Sequence, residues 1–332
     1  MKKRIITIGE VMMRLVTNDH QRFLQANHYN VYFGGAEANV AISLSHFGQE
    51  TVHITAYPDN DLGRAAYNYL KKNGVDTSYI SFLEKGRMGV YFHEKGSMQR
   101  SSRIIYDRFG SSFSLLKDSD FDWDAIFEDA SWLHWTGITP AISESASSLC
   151  KTAIQKAREK GITVSGDINY RRNLWQYGKR PLDIMPELIA NTDVIIAGLS
   201  DFENCIGIKK DSFEEACNET HKRFPEIKTI AVTRRISISA SENKLSALLY
   251  DKGQLYISKE YEMSNMVDRI GGGDAFMAGL IYGLLFKNKQ EALEFALAAS
   301  VLKHSIPGDA NLVTVDEVNQ LVKEENLGRL LR

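Results

Sequence analysis

The sequence predicts an α/β fold in which a mostly parallel central sheet carries helices on both faces. Three observations predict it. Strand-like and helix-length segments alternate along most of the chain, the rhythm of βα units. The strand-like runs, such as Ile5-Ile6-Thr7-Ile8-Gly9, are β-branched and end on glycine, as buried strands do. No repeat, low-complexity tract or proline-rich linker breaks the alternation, so residues 1–332 read as a single domain.

In chain order, Ile5–Gly9 is the first strand. Gly35 opens a helix over Ala36 to His46, with Val40, Ala41, Leu44 and Phe47 at helical spacing and Gly48 as its stop. Thr51–Tyr57 is a strand, and Asp61 starts a helix that ends at Asn73-Gly74. Met88–His93 and Arg103–Tyr106 form a hairpin around Glu94-Lys95-Gly96-Ser97, which breaks the rhythm and predicts a small β-rich flap. Beyond it, Trp132–Thr136, Thr163–Ile168, Val194–Ala197 and Thr229–Thr233 are strands. Helices over Ser143–Lys160, Leu182–Asn191 and Asp211–Phe224 separate them. Leu245–Tyr250 pairs with Gln254–Ile257, and the last third is helical over Gly272–Phe286, Lys289–His304 and Val315–Lys323.

With 43% hydrophobic and 25% charged residues, the 332-residue chain can bury a large core. Its formal net charge of −2 supplies no field to recruit nucleic acid or anionic lipid, so neither is expected as a partner. Cys150, Cys205 and Cys217 form no CxxC pair and the histidines no HxxH spacing, which speaks against a disulfide framework or a zinc site. His134, on an apolar strand, reads as a core residue. No apolar run approaches the roughly 20 residues that span a bilayer, and Ile5–Gly9 meets Glu10 too early for a signal peptide. A soluble cytoplasmic protein is expected.

Gly271-Gly272-Gly273 stands directly before a helix. Three glycines expose backbone N–H groups without Cβ obstruction, and a helix N-terminus adds positive partial charge, so a phosphoryl group in transfer can be held there. Asp274, in the first turn, can accept a proton from an incoming hydroxyl; on these residues alone, a helix-capping turn explains it equally well. The run is neither GxxxxGK[ST] nor GxGxxG, and Gly9-Glu10-Val11-Met12 lacks the dinucleotide fingerprint too.

Three ordered segments resemble the ribokinase, or PfkB, family of carbohydrate kinases. Asp268-Arg269-Ile270-Gly271-Gly272-Gly273-Asp274-Ala275-Phe276 is similar to the C-terminal signature D-T-x-G-A-G-D-x-F. Gly34-Gly35-Ala36-Glu37-Ala38-Asn39-Val40-Ala41, followed by Leu44 and Gly48, is similar to the N-terminal one. Asp167-Ile168-Asn169-Tyr170-Arg171, then Leu174-Trp175, is similar to D-x-N-x-R-x-x-L-W. The resemblance implies a ribokinase-like fold with a β-lid, made mainly of residues 12–34 and 86–108, over the sugar. It implies in-line transfer from ATP with Mg2+, Asp274 as the base and the amides of Gly271, Gly272 and Gly273 as an anion hole. Gly34, Gly35, Asn39, Asn169 and Arg171 are implied as sugar-binding. Glu10 stands where ribokinases hold sugar hydroxyls with an aspartate, or else it ends the first strand. Pairing of two copies through their lids, a homodimer, is also implied.

The substrate turns on charge, because a sugar acid needs a cation aimed at its carboxylate and arginine's planar fork suits that task. Arg103-Ile104-Ile105-Tyr106-Asp107-Arg108, then Gly110-Ser111, looks like the lid of 2-keto-3-deoxygluconate kinases, where a Tyr-x-Arg unit binds substrate. Tyr106 and Arg108 carry over, with Arg171 as a second cation and Tyr91 as a second tyrosine; packing of the hairpin is the other reading of both tyrosines. Lys303-His304-Ser305-Ile306-Pro307-Gly308-Asp309-Ala310-Asn311 resembles a segment of the same branch and would put Asn311 near the adenine. The family's N-x-x-E element, which organises magnesium through water, reads Ser200-Asp201-Phe202-Glu203, so Ser200 and Glu203 carry over. The nucleotide loop reads Thr233-Arg234-Arg235-Ile236-Ser237-Ile238-Ser239-Ala240, without its usual glycines, and Thr233 and Arg234 are its expected ATP contacts. Arg269 and Ile270 replace threonines and weaken the case for a monovalent-cation site. The resemblance thus implies ATP-dependent phosphorylation of 2-keto-3-deoxygluconate at its 6-hydroxyl. The rivals are a fructokinase or another ketose kinase and, more remotely, a non-catalytic sugar sensor.

Overall fold

Ile5, Ile6 and Ile8 are fully buried, so the first strand needs cover on both faces and neighbours on both sides. The computed structural model, which describes residues 3–240 and 242–325, supplies both. The described strands are β1 (Arg4–Ile8), β2 (Met12–Thr17), β3 (Tyr29–Gly34), β4 (Glu50–Pro58), β5 (Ile80–Leu83), β6 (Gly89–Glu94) and β7 (Arg103–Asp107). They continue as β8 (Ala130–Thr136), β9 (Thr163–Asp167), β10 (Val194–Ile196), β11 (Thr229–Ser237), β12 (Asn243–Asp251), β13 (Gln254–Ile257) and β14 (Tyr261–Met263). The main sheet runs in the order β13-β12-β11-β10-β9-β8-β1-β4-β5, with β14 also paired to β12. Strands β5 to β11 along that path are parallel, and the β12 edge is antiparallel.

One face of this sheet is covered by helices 144–159, 181–190 and 213–223, the other by helices 36–46, 272–286, 289–303 and 315–322. From β1 the chain moves to β4 and β5 on one side; from β8 it moves to β9, β10 and β11 on the other. The direction reverses between β1 and β8, and the crevice beyond the carboxyl ends at such a switch point is where α/β proteins bind ligands. Glu10 follows β1 there, and Asn169 and Arg171 follow β9.

A second sheet, β3-β2-β6-β7, stands apart from the first. The expected hairpin is its β6–β7 half, and β2 adds to it in parallel through Arg14 opposite Tyr91. The register creates an inner row, Tyr32–Arg14–Tyr91–Tyr106, and on the opposite face a row Val31–Leu15–Phe92–Ile105. The largest departure from expectation lies in β11. It runs unbroken to Ser237 and pairs residue for residue with β12, so the segment expected as a nucleotide loop is an extended ladder. Without glycines, its β-branched residues favour the ladder over an open loop.

Candidate active site

Two helix N-termini meet beyond the switch point. Helix 36–46 starts at Gly35, where an added Cβ would lie 2.0 Å from the Glu10 carbonyl oxygen. Helix 272–286 starts at Gly271, which is left-handed at φ 83° and has the Asp309 carbonyl against it. Its first backbone bond is Ala275 N–H to the Gly271 carbonyl, so the amides of Gly272, Gly273 and Asp274 precede the helical ladder. Asn39, one turn into the first helix, donates to Asp274 Oδ2 at 2.7 Å and joins the two helix starts.

Around them lies a cleft of about 410 Å³. Its walls hold Glu10, Gly34, Gly35, Asn39, Tyr91 and Tyr106. Arg108, Asn169, Arg171, Gly271, Gly272, Gly273 and Asp274 complete the set of sugar-end and anion-hole candidates, so the fold brings all of these together. Burial pushes the Asp274 carboxyl up to about 7; the Asn39 bond opposes the rise, and the negative charges of Asp309 and Glu37 add to it. Asp167, at the end of β9, is pushed up to about 8 by burial and by the charges of Asp201 and Asp274. Both carboxyls thus titrate near neutrality, the range in which a general acid or base works.

Arg108 is buried and ion-paired with Glu10 through Oε2. Glu10 Oε1, Arg108 Nε and Asn39 Oδ1 are nevertheless buried without hydrogen-bond partners, which suits a polar ligand in the cleft. Arg171 is exposed and, among the described residues, hydrogen-bonds only the Tyr170 carbonyl, at 3.2 Å. Asn169 beside it has φ 42°, a left-handed conformation that asparagine tolerates better than most residues. Tyr91 donates its hydroxyl to Asp309 Oδ2 and packs its ring 5.7 Å from that of Tyr106. Tyr106 is half exposed toward the cleft.

Residues 2–314 match the model of the pfkB family carbohydrate kinases. The chain belongs to that family. It is 30% identical over 329 residues to a 2-dehydro-3-deoxygalactonokinase of Haloferax volcanii, covering 99% of each chain. A 5-dehydro-2-deoxygluconokinase of Clostridium perfringens is also 30% identical over 329 residues, covering 97% of this chain and 93% of that one. Among solved structures, the 2-dehydro-3-deoxygluconokinase of Thermotoga maritima superposes with a TM-score of 0.92 at 39% identity, covering 97% and 99% of the two chains. The family is one of ATP-binding phosphotransferases of ribokinase-like fold, and this chain is a carbohydrate kinase with the helix-flanked sheet and β-rich lid of that fold.

In this kinase the nucleotide-end candidates lie apart from the cleft. Ser200 is exposed and accepts from Asn204, while Glu203 is exposed and ion-paired with Lys209 at 2.8 Å. Thr233 is held in the ladder opposite Ala247. Arg234 lines a different groove with Gly198, Leu199 and Val232, because strand alternation sends Arg234 and Arg235 to opposite faces. Asn311 is buried, donating to Ser43 Oγ at 3.3 Å and accepting from Val313 N–H. Sequence reasoning missed Asp167, Glu37, Arg235, Arg269 and Asp309 as cleft residues. Asp167 and Glu37 sat inside matched segments, and the alternation along β11 was the signal for Arg235.

Proposed function

We propose that this kinase transfers the γ-phosphoryl group of ATP to a keto-deoxy sugar acid, with the 6-hydroxyl of 2-keto-3-deoxygluconate as the leading acceptor. The observation that carries the reading is one cleft holding both an ionisable base beside helix-start amides and, at its sugar end, the guanidiniums of Arg108 and Arg171. The base end suits phosphoryl transfer; guanidiniums suit a carboxylate. The sugar acids named for the relatives point the same way.

In this reading the sugar hydroxyl oxygen attacks the γ-phosphorus in line, the bond to the β–γ bridging oxygen breaks, and ADP leaves. The hydroxyl proton passes to Asp274, oriented by Asn39. The amides of Gly272 and Gly273 face the phosphoryl oxygens. Among the described residues no group of three or more His, Cys, Asp or Glu side chains is placed to hold a metal ion. Magnesium, which keeps most of its waters, would then arrive on the phosphates, with Glu203 as an outer ligand through water. A cytoplasmic location, where ATP is at hand, belongs to this reading.

The test is ADP release over a panel of 2-keto-3-deoxygluconate, its galactonate epimer, 5-keto-2-deoxygluconate, fructose and ribose. Activity on one or more of the keto-deoxy acids is expected, and Arg108→Ala should raise KM for that acid at least about tenfold while leaving any weak fructose activity within about threefold. Turnover of fructose with none of the acids would overturn the assignment.

A further inference from the structure

We propose that Arg235 and Arg269 form a guanidinium pair that grips the nucleotide's phosphates and shares the charge of the phosphoryl group in transfer, in place of a glycine-rich loop. The proposal rests on the kinase reading above and deepens it.

Position comes first. Both side chains line the cleft beside Gly271, Gly272, Gly273 and Asp274. Both also line a second groove, of about 590 Å³, between the lid tip and the β11–β12 hairpin. The cleft and the groove share Ile104, Arg235, Arg269 and Ile270, so an extended ligand lying in both must pass the two guanidiniums. Arg235 is moreover tied to the anion hole. Its Nη2 lies 3.4 Å from Nε2 of His304, and that ring packs against Gly272, where an added Cβ would come within 2.6 Å of the imidazole. His304 Nδ1 lies 2.7 Å from the Ser300 carbonyl, an acceptor only, so Nδ1 carries the proton and Nε2 is left to accept from Arg235.

Charge is the second argument. Among the described residues neither Arg235 nor Arg269 is in an ion pair, and Arg269 reaches only the Asn243 amide oxygen, at 3.4 Å. The surrounding protein lowers the pKa of Arg235, although its side chain opens on the cleft, and the neighbouring Arg269 charge lowers it further. Two like charges that line one cleft without an ion-pair partner repel, and an anion between them relieves that repulsion. The phosphate chain of ATP is such an anion, and as the bond to γ-phosphorus breaks, charge moves onto the bridging oxygen, where a cation is worth most. The absence of glycine from the β11 segment then has a reason: the extended ladder fixes Arg235 on the cleft face and gives up backbone amides for a guanidinium.

The test uses Arg235→Gln, Arg269→Gln and Arg235→Lys in the full chain. Binding of MgADP is followed by calorimetry, and turnover by ADP release with the best acceptor from the panel. Each glutamine variant should weaken MgADP at least about tenfold and lower kcat on the order of 10²–10³-fold, with KM for the sugar within about threefold. Arg235→Lys should recover part of both. The melting temperature of the unliganded glutamine variants should equal or exceed that of the parent, since a repulsion is removed. MgADP affinity and kcat within about threefold of the parent in both glutamine variants would overturn the proposal, as would losses that track a lowered melting temperature. Weakened MgADP binding in a protein inactive on every sugar acid would fail the substrate reading and keep this one. Unchanged MgADP binding and turnover alongside strong sugar-acid activity in the parent would do the reverse.

Discussion

At the scale of single residues, the proposed chemistry rests on Asp274, with Asp167 in the same cleft. Asp274 rises to about 7 and Asp167 to about 8, burial being the first cause of each. Because a base must be ionised, kcat/KM should increase with pH through about 7 and level off above it, a profile read directly from rates between pH 5.5 and 9. The Asn39 amide holds the Asp274 value down, so Asn39→Ala should move that limb to higher pH; an unmoved limb would remove Asn39 from this role. The folded pKa of Asp274 lies above its ordinary 3.8, so the stability it contributes is complete below about pH 4 and is lost as pH rises through about 7. Asp274→Asn should therefore lose turnover by orders of magnitude yet melt at a higher temperature than the parent at pH 8. The two should melt alike near pH 4. The glycines separate just as clearly. Gly271→Ala meets both a left-handed φ and the Asp309 carbonyl, and should destabilise the fold by several degrees in melting temperature. Gly273→Ala has open space for its Cβ and should melt like the parent, while losing activity if that space belongs to the phosphoryl group. The run of glycines and Asp274 were legible in the sequence. The Asp274 pKa and the differing needs of the three glycines were not, because both depend on residues brought in from helix 36–46 and from the 304–309 segment.

At the scale of elements, the βα alternation was legible because buried parallel strands and their covering helices carry strong local patterns. The ladder of β11 with β12 was not, since hydrogen bonding to a distant strand decides whether 233–237 is loop or strand. The same holds for the join between lid and body. Arg14 sits on lid strand β2, fully buried, with Nη1 2.7 Å from Asp309 and Nη2 2.9 Å from Asp268; His93 Nδ1 lies 2.7 Å from Nη2. Burial works against its charge, yet the two carboxylates and Tyr91 hold its pKa above the ordinary value. Asp268 also accepts from the amides of Ile270 and Gly308, so one lid arginine braces the turn that leads into the run of three glycines. Arg14→Met should leave two carboxylates buried without their cation and cost about 3–5 kcal/mol in urea unfolding. A cost below about 1 kcal/mol would mean that water or Lys303 replaces the arginine there.

At the scale of the whole molecule, the lid has a face that its own fold leaves uncovered. The row Val31–Leu15–Phe92–Ile105 crosses all four lid strands on the side opposite Arg14, with Val31 and Ile105 more than half exposed. Strand β7 is an edge, and every one of its residues is exposed. An apolar row ending in an open edge is a surface that natural sheets otherwise blunt with charge, and here Arg103 and Asp107 stand only at the strand's two ends. A second copy, lid on lid, would cover it and would add each lid's rigidity to the other; a stable contact of this kind buries about 1,200–2,000 Å² in total. Light scattering should therefore report about twice the 37.4 kDa chain mass, and Ile105→Glu should bring it to one chain. Ile105 faces away from the cleft while Tyr106 and Ile104 line it, so the same variant separates assembly from direct sugar contact. If pairing steadies the lid over the sugar, KM for the acid should rise in Ile105→Glu. A parent protein that scatters as a single chain at micromolar concentration would leave this face to some other role and the lid to close unaided.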